Sequence, residues 1–346
     1  MSIPMREFRH AYARDLEHAA ELLRTHGAQA AVVSGGSDLL AMMKERLASP
    51  ALLVNLQRVP GIDAIGFDET SGLRIGAMAT LRALAEDALV ARRYGALSEA
   101  AGAVASPQIR NVATIGGNLA QRSRCWYYRG PFECWLKGGT ECPAVNGENK
   151  FHAIFGAGPC HMVHPSDLAT ALLALDAAIV ILGPRGRRSL PVSRFYVDPS
   201  EARRSGNLLE ADELIAEVLV PAPAKGARSG FVKAMERAAW DAAIISIAYS
   251  VVPGGEGAED KEHASTYRSV ALALGGVATT PLRAPEAERL LAGRDLTPEA
   301  LTQAAEALAR DARPLSQNAY KIPLLKGYLR SIFDGAFASE GTQADR

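Results

Sequence analysis

The stretch Ala30-Ala31-Val32-Val33-Ser34-Gly35-Gly36-Ser37-Asp38-Leu39-Leu40-Ala41-Met42-Met43-Lys44 decides how this chain is read. Residues 30–33 are short, apolar and partly β-branched, as a buried strand requires, and apolar residues at helical spacing follow over 39–47. Two glycines stand between them, flanked by serines and an aspartate. Consecutive glycines at a strand-to-helix turn let backbone N–H groups converge with no Cβ in the way, which makes a nest for phosphate oxygens. The turn matches neither G-x-G-x-x-G nor the phosphate loop ending in GKS or GKT, so a Rossmann nicotinamide site is disfavoured. A tight turn of this kind needs glycine in any case, and taken alone it leaves phosphate binding open.

Outward from this turn, helices and short strands interleave. Leu16, Ala19, Ala20, Leu22 and Leu23 predict a helix over 15–26, stopped by Gly27. Residues 52–56 and 73–75 read as strands, and Thr80 caps a helix over 81–86 through its side-chain oxygen. A helix over 167–174 and a strand over 178–182 precede Pro221-Ala222-Pro223, which reads as a linker. Beyond it, 231–252 and 269–274 read as strands, with helix an alternative over 241–247. Helices follow over 285–291, 298–309 and 322–333, the second opened by the cap Thr297 and by Pro298 at the first helical position. The pattern is α+β, divided as 1–223 and 224–335 with a frayed tail at 336–346.

A second diglycine segment, Thr114-Ile115-Gly116-Gly117-Asn118-Leu119, follows Ser106-Pro107 and ends shortly before Cys125. Two such turns, lined by hydroxyl and amide side chains, suit a large phosphate-bearing cofactor lying along an extended path. Asp167, in Pro165-Ser166-Asp167-Leu168, either caps the helix after it or accepts from a ribose or ring group.

All four cysteines, Cys125, Cys134, Cys142 and Cys160, fall in one stretch, separated by eight, seven and seventeen residues. Clustering suggests a shared ligand, and the spacing lacks the paired C-x₂-C knuckles of structural zinc sites. A four-thiolate iron–sulfur cluster is the favoured reading; zinc, a pair of disulfides and four unrelated buried thiols stay open. His161 and His164 follow the last cysteine; cluster-shell residues, metal ligands and satisfied surface or core groups are all open readings, and they are left unassigned. The region 130–155 holds Gly, Pro, Asn and charges without a sustained period, so it reads as a long functional excursion held by something other than a hydrophobic face.

Composition narrows the classes further. Lys plus Arg equals Asp plus Glu at 38 each, so no basic excess exists to attract nucleic acid or an anionic membrane. The 346 residues are 48% apolar and 22% charged, the make-up of a folded protein with a substantial core. The longest apolar run, 168–182, is broken by Asp176 and is too short to span a bilayer. Arg6, Arg9 and Asp15 stand where a signal peptide would have its apolar centre, so the expectation is a chain without its own address, cytoplasmic or exported beside a signal-bearing partner.

Taken in order, Ser34-Gly35-Gly36-Ser37-Asp38-Leu39, Ile75-Gly76-Ala77 and Arg110-Asn111-Val112-Ala113-Thr114-Ile115-Gly116-Gly117-Asn118-Leu119 resemble the FAD-binding medium subunit of the xanthine dehydrogenase, or molybdenum hydroxylase, family. Leu274-Gly275-Gly276-Val277-Ala278 and the helices after it resemble the C-terminal domain of carbon monoxide dehydrogenase flavoproteins. The resemblance implies a two-part FAD-binding domain of the vanillyl-alcohol-oxidase type followed by a smaller α+β domain. It also implies that Val33, Ser34, Gly35, Gly36, Ser37, Asp38 and Leu39 hold the FAD pyrophosphate, and that Ser106, Thr114, Gly116, Gly117 and Asn118 meet the same cofactor. Asp167 matches a family aspartate that touches FAD, and Lys233 and Arg237 a basic pair near the flavin.

Most members lack the cysteine-bearing insertion at about 121–164. Its residues, Gln121-Arg122-Ser123-Arg124-Cys125-Trp126-Tyr127-Tyr128-Arg129, Gly147-Glu148-Asn149 and His164-Pro165-Ser166-Asp167 among them, resemble a subgroup whose flavin subunit also carries a [4Fe–4S] cluster, as in bacterial aldehyde oxidoreductases of the periplasmic type. The flavin subunit of 4-hydroxybenzoyl-CoA reductase is another relative with such a loop, though of different spacing. The implied assembly has a large molybdenum-cofactor subunit that hydroxylates the substrate, a small subunit with two [2Fe–2S] clusters that relays electrons, and this chain, whose FAD passes them to an external acceptor. No side chain of this subunit is then needed as a general acid or base. Two rival classes are a zinc-stabilised interaction module and a stand-alone flavin oxidase.

Overall fold

The computed structural model describes residues 5–156, 158–200, 203–254 and 266–333, so the frayed tail expected at 336–346 lies outside the described residues. Strands β1 (Arg9–Tyr12), β2 (Ala30–Val33) and β3 (Leu52–Asn55) form a parallel sheet in the order β1-β3-β2. Between β2 and β3 the chain makes the glycine turn and a short helix, Leu39–Lys44, which ends before the 47 expected from the apolar spacing. That crossover puts the turn at the carboxyl end of a parallel strand, where open α/β sheets bind ligands.

Strands β4 (Ile65–Asp68), β5 (Gly72–Gly76), β6 (Ala178–Gly183), β7 (Gly186–Pro191) and β8 (Leu214–Val220) build an antiparallel sheet in the order β4-β5-β8-β6-β7. Leu73, Ile75, Ile179, Ile181 and Val218 point into the main core, closed by helices Leu81–Glu86, Gly95–Gly102 and Asp167–Ala174. All eight residues of the last helix are buried, which explains why its sequence is apolar on every side.

Strands β9 (Arg228–Ala234), β10 (Ile245–Pro253), β11 (Tyr267–Gly275) and β12 (Leu282–Arg283) form a third sheet in the order β12-β11-β10-β9. The run 231–252, read as strand with helix possible over 241–247, is two antiparallel strands joined by a loop; Ile245 already belongs to β10. Helices Pro285–Leu291, Pro298–Ala309 and Lys321–Phe333 cover this sheet around Ile247, Leu272, Ala304, Ala305, Leu325 and Leu329.

The second diglycine segment is not a turn. Thr114 caps helix Ile115–Ala120 by accepting from Gly117 N, so Gly116 and Gly117 lie in its first turn. Glycine is required there by packing: a Cβ on Gly116 would stand 2.9 Å from the Cβ of Ala77.

The excursion is held from both sides. Ile154 enters the core of the third sheet, so part of the hold is apolar after all. The remainder is polar and comes from the far end of the chain. Buried Asn149 donates to Ala144 O, Gly147 O and Ser316 Oγ at 3.0, 3.1 and 3.0 Å and exchanges backbone–side-chain bonds with Gln317. Fully buried Asn318 donates to His152 O and Ala153 O, both at 3.1 Å, and accepts from Leu315 N. Fully buried Lys321 donates to Phe151 O, His152 O and Gly276 O at 2.9, 3.0 and 2.8 Å. These side chains do for the excursion's carbonyls what a neighbouring strand does elsewhere. Asn318→Ala removes three bonds, two of them to buried backbone carbonyls. The expected loss is about 2–4 kcal/mol, read as a lower urea midpoint at unchanged slope.

Candidate cofactor site

Gly35 sits where any side chain would collide: a Cβ there would lie 1.8 Å from Val112 O. Gly36 follows at φ +70°, in the left-handed region that glycine adopts without strain. The turn therefore lies directly against residues 112–114, and Ser34 Oγ meets Thr114 Oγ1 at 3.0 Å. Gly117 completes the approach, with both hydroxyls 3.1 Å from the place its Cβ would take.

Two hollows meet along this seam. One, of about 220 Å³, is lined by Val33 through Leu39 together with Thr114, Gly117, Gln121 and Arg122. The other, a narrower slot of about 120 Å³, is lined by Gly116 and by the apolar side chains of Leu56, Met78, Leu209, Leu214 and Ile215. Val32, Ser34, Thr114, Gly117 and Ala120 border both. A polar, amide-rich trough continuous with an apolar slot can take a phosphate group and a flat ring of the same ligand. The slot residues escaped the sequence reading because they come from four separate segments, none with a motif of its own. A larger hollow of about 480 Å³ beside Asp15, Arg74, Arg187 and Glu217 lies elsewhere, and its charges pair with one another, Glu217 with Arg74 and Arg187.

Asp38 borders the trough but spends its carboxylate on the cysteine-bearing excursion. It accepts from Arg122 N at 2.9 Å and pairs with Arg129 at 2.7 Å and Arg124 at 3.3 Å. Arg129, itself nearly buried, also donates to Ser123 O and Glu45. The glycine turn and the excursion are thus braced against each other by one charged network.

The remaining expected residues divide. Asp167 does not cap its helix; Ser166 does, accepting from Ala169 N, and Ser166 also donates to Asn118 Oδ1 at 2.5 Å. Asp167 pairs instead with Lys233 at 2.8 Å, both side chains buried. Burial raises the Asp167 pKa, and the Lys233 charge opposes that rise. Lys233 also donates to Ala103 O and Asp241 O. Arg237 is exposed, bonded to Trp240 O and paired with Asp241 at 3.8 Å, so it and the buried Lys233 both meet Asp241, one from solvent and one from inside. Ser106 caps helix Pro107–Arg110 and borders neither hollow.

All four cysteines are free thiols, Cys134 and Cys160 buried, Cys125 and Cys142 partly so, and Cys125 and Cys160 pack with Trp135, Leu136 and Met162. Cys160 donates to Cys142, which lowers the Cys142 pKa, while donating that bond and being buried raise its own. Burial pushes Cys125 up to about 11, and Cys125 feels the charges of Cys134 and Cys142. His152 Nε2 lies 3.2 Å from Cys125 Sγ. Among the described residues, no three His, Cys, Asp or Glu side chains stand close enough to surround one metal ion. His152 was missed in the sequence, although a histidine inside a cysteine cluster was the available signal.

Comparison with known proteins gives this geometry its family. A model of the FAD binding domain in molybdopterin dehydrogenase matches residues 6–223, and one of the CO dehydrogenase flavoprotein C-terminal domain matches 230–336. The chain is 33% identical to the aldehyde oxidoreductase FAD-binding subunit PaoB of Escherichia coli (strain K12), over 93% of this chain and 95% of that one. It is 30% identical to the carbon monoxide dehydrogenase medium chain of Hydrogenophaga pseudoflava, over 90% and 89%. Among solved structures, carbon monoxide dehydrogenase from Hydrogenophaga pseudoflava is similar at a TM-score of 0.74 and 28% identity, covering 95% of this chain and 96% of that one. The chain belongs to the family of FAD-binding subunits of molybdenum hydroxylases, the medium chains of the xanthine dehydrogenase and CO dehydrogenase group. It is an oxidoreductase component with the expected architecture, an α+β FAD-binding domain followed by the flavoprotein C-terminal domain. No helix among the described residues is long and apolar enough to cross a membrane.

Two outcomes are expected. Gly35→Ala forces the turn off Val112 and weakens FAD binding at least about tenfold, roughly 1.4 kcal/mol, while Gly66→Ala, where a Cβ meets nothing within 4 Å, leaves it unchanged; flavin fluorescence titration of apoprotein reads both. His164 is buried with Nδ1 accepting from Ser166 N, and burial lowers its pKa from 6.5 to about 3. Between those values the unfolded chain takes up a proton that the folded chain refuses, so stability falls as pH drops through that window. From pH 6.5 to 5 the loss from this group is about 1.6 kcal/mol, and His164→Gln flattens that part of the urea-midpoint profile.

Proposed function

We propose that this chain is the FAD and [4Fe–4S] subunit of an aldehyde-oxidising molybdenum hydroxylase. In this reading it works beside a molybdenum-cofactor large subunit and a [2Fe–2S] small subunit, receiving electrons from the latter for an external acceptor. The observation that carries the reading is the 33% identity, over nearly the whole chain, to an aldehyde oxidoreductase FAD-binding subunit. Bound FAD supplies the redox chemistry that joins a one-electron donor to a two-electron acceptor. The residues of this chain bind and orient it: Val33 to Leu39 and Thr114, Gly116 and Gly117 at the trough and slot, with the division between domains taken at 223/224.

Cys125, Cys134, Cys142 and Cys160 are proposed as the cluster ligands. The donor set fits in kind: four free thiols near enough to influence one another's ionisation, two of them packed on an apolar cluster. Held by these four thiolates, a [4Fe–4S] cluster would supply a one-electron redox centre beside the flavin. Export beside a signal-bearing partner remains the proposed route if the complex is periplasmic.

The test is purification of the native complex under anaerobic conditions, with assay of FAD, molybdenum, iron, zinc and acid-labile sulfide, and of aldehyde-dependent dye reduction. FAD with iron and sulfide in excess of the [2Fe–2S] complement supports the reading; zinc in their place, or turnover by this subunit alone, overturns it. Cys134→Ser is expected to lower iron and sulfide and to cost about 2 kcal/mol of stability as a buried hydroxyl loses its partner, seen as a lower melting temperature.

A further inference from the structure

We infer that His152 donates its Nε2–H to the sulfur of Cys125 and thereby raises the reduction potential of the cluster that Cys125 is proposed to bind, an inference that rests on that ligand assignment. The two atoms are 3.2 Å apart, within reach of an N–H···S bond. A ligand thiolate offers only lone pairs, so the proton of this contact belongs to the imidazole. The other ring nitrogen, Nδ1, is buried and has no partner.

The ring is aimed rather than merely present. Trp126 stands edge-on to it at 5.0 Å and Tyr127 at 5.7 Å, so both side chains directly after Cys125 wall it in. Its main chain is fixed as well: His152 N donates to Asn149 O, and His152 O accepts from both Asn318 and Lys321. The clamp from the C-terminal domain therefore ends at the ring that touches the thiol.

Reduction places charge on the cluster and its sulfur ligands, and an N–H directed at one of them strengthens as that charge grows. One such bond, of about 1 kcal/mol, corresponds to about fivefold in the equilibrium constant for one-electron reduction. At 59 mV per tenfold that is about 40 mV.

The experiment is an anaerobic redox titration of the purified complex, followed by electron paramagnetic resonance, for the parent, His152→Phe and His152→Gln. His152→Phe keeps the aromatic packing and removes the donor; His152→Gln keeps an N–H. With iron and sulfide equal in all three, the expected result is a midpoint about fivefold less favourable to reduction in His152→Phe, largely restored in His152→Gln. An unchanged midpoint in His152→Phe overturns the inference while leaving the ligand assignment standing. Absence of extra iron and sulfide in the parent overturns the assignment itself and the inference with it. If His152→Phe loses its cluster, the reduced parent grown on ¹⁵N-histidine decides: a weakly coupled nitrogen absent from His152→Gln supports the contact, and a spectrum identical in the two overturns it.

Discussion

The carbonyl oxygen of Val112 occupies the space that a side chain on residue 35 would need, and much of the molecule is arranged around that approach. Two backbone segments distant in sequence can touch this closely only where one of them has no Cβ. Once they touch, the hydroxyls of Ser34 and Thr114 meet, and Thr114 is free to cap the helix that carries Gly116 and Gly117. The trough and the slot open on the two sides of that contact.

The cysteine-bearing excursion shows how a long segment is ordered without joining a sheet. At one end Arg122, Arg124 and Arg129 converge on Asp38, so the turn of the cofactor site and the start of the excursion share one carboxylate. At the other, Asn149, Asn318 and Lys321 satisfy a row of carbonyls that would otherwise be buried unpaired. A buried lysine is costly, and burial pulls its pKa down to about 7, yet its three acceptors make it a better neighbour for those carbonyls than any apolar residue. The thiols are consequently held between two domains, fastened to each by polar contacts.

Much of the secondary structure was legible because its signals are local. Thr80 and Thr297 cap the helices expected of them, and the apolar spacing of 167–174 and 298–309 marks helices with those bounds. Where the reading went astray, tertiary packing was the cause. Gly116-Gly117 looks like a turn, but a helix is formed there since Thr114 caps it and Ala77 leaves no room for a Cβ. Residues 241–247 have helical spacing, yet Ile245 onward pairs with β9 and β11 on both sides. Asp167 looks like a cap, but Ser166 takes that role and leaves the carboxylate to Lys233, sixty-six residues away.

By itself, then, the amino-acid sequence determined the kind of element most segments form, the two glycine-rich segments, the family likeness and the grouping of the four cysteines, because each of these is written in neighbouring residues. Only the tertiary structure decided that an apolar slot adjoins the glycine trough, that Asp38 faces the arginines of the excursion, that Lys233 is buried against Asp167 while Arg237 stays exposed, and that His152 meets Cys125. The reason is physical: those contacts join segments far apart along the chain, and their distances are set by which surfaces pack together, a property that no single stretch of residues contains.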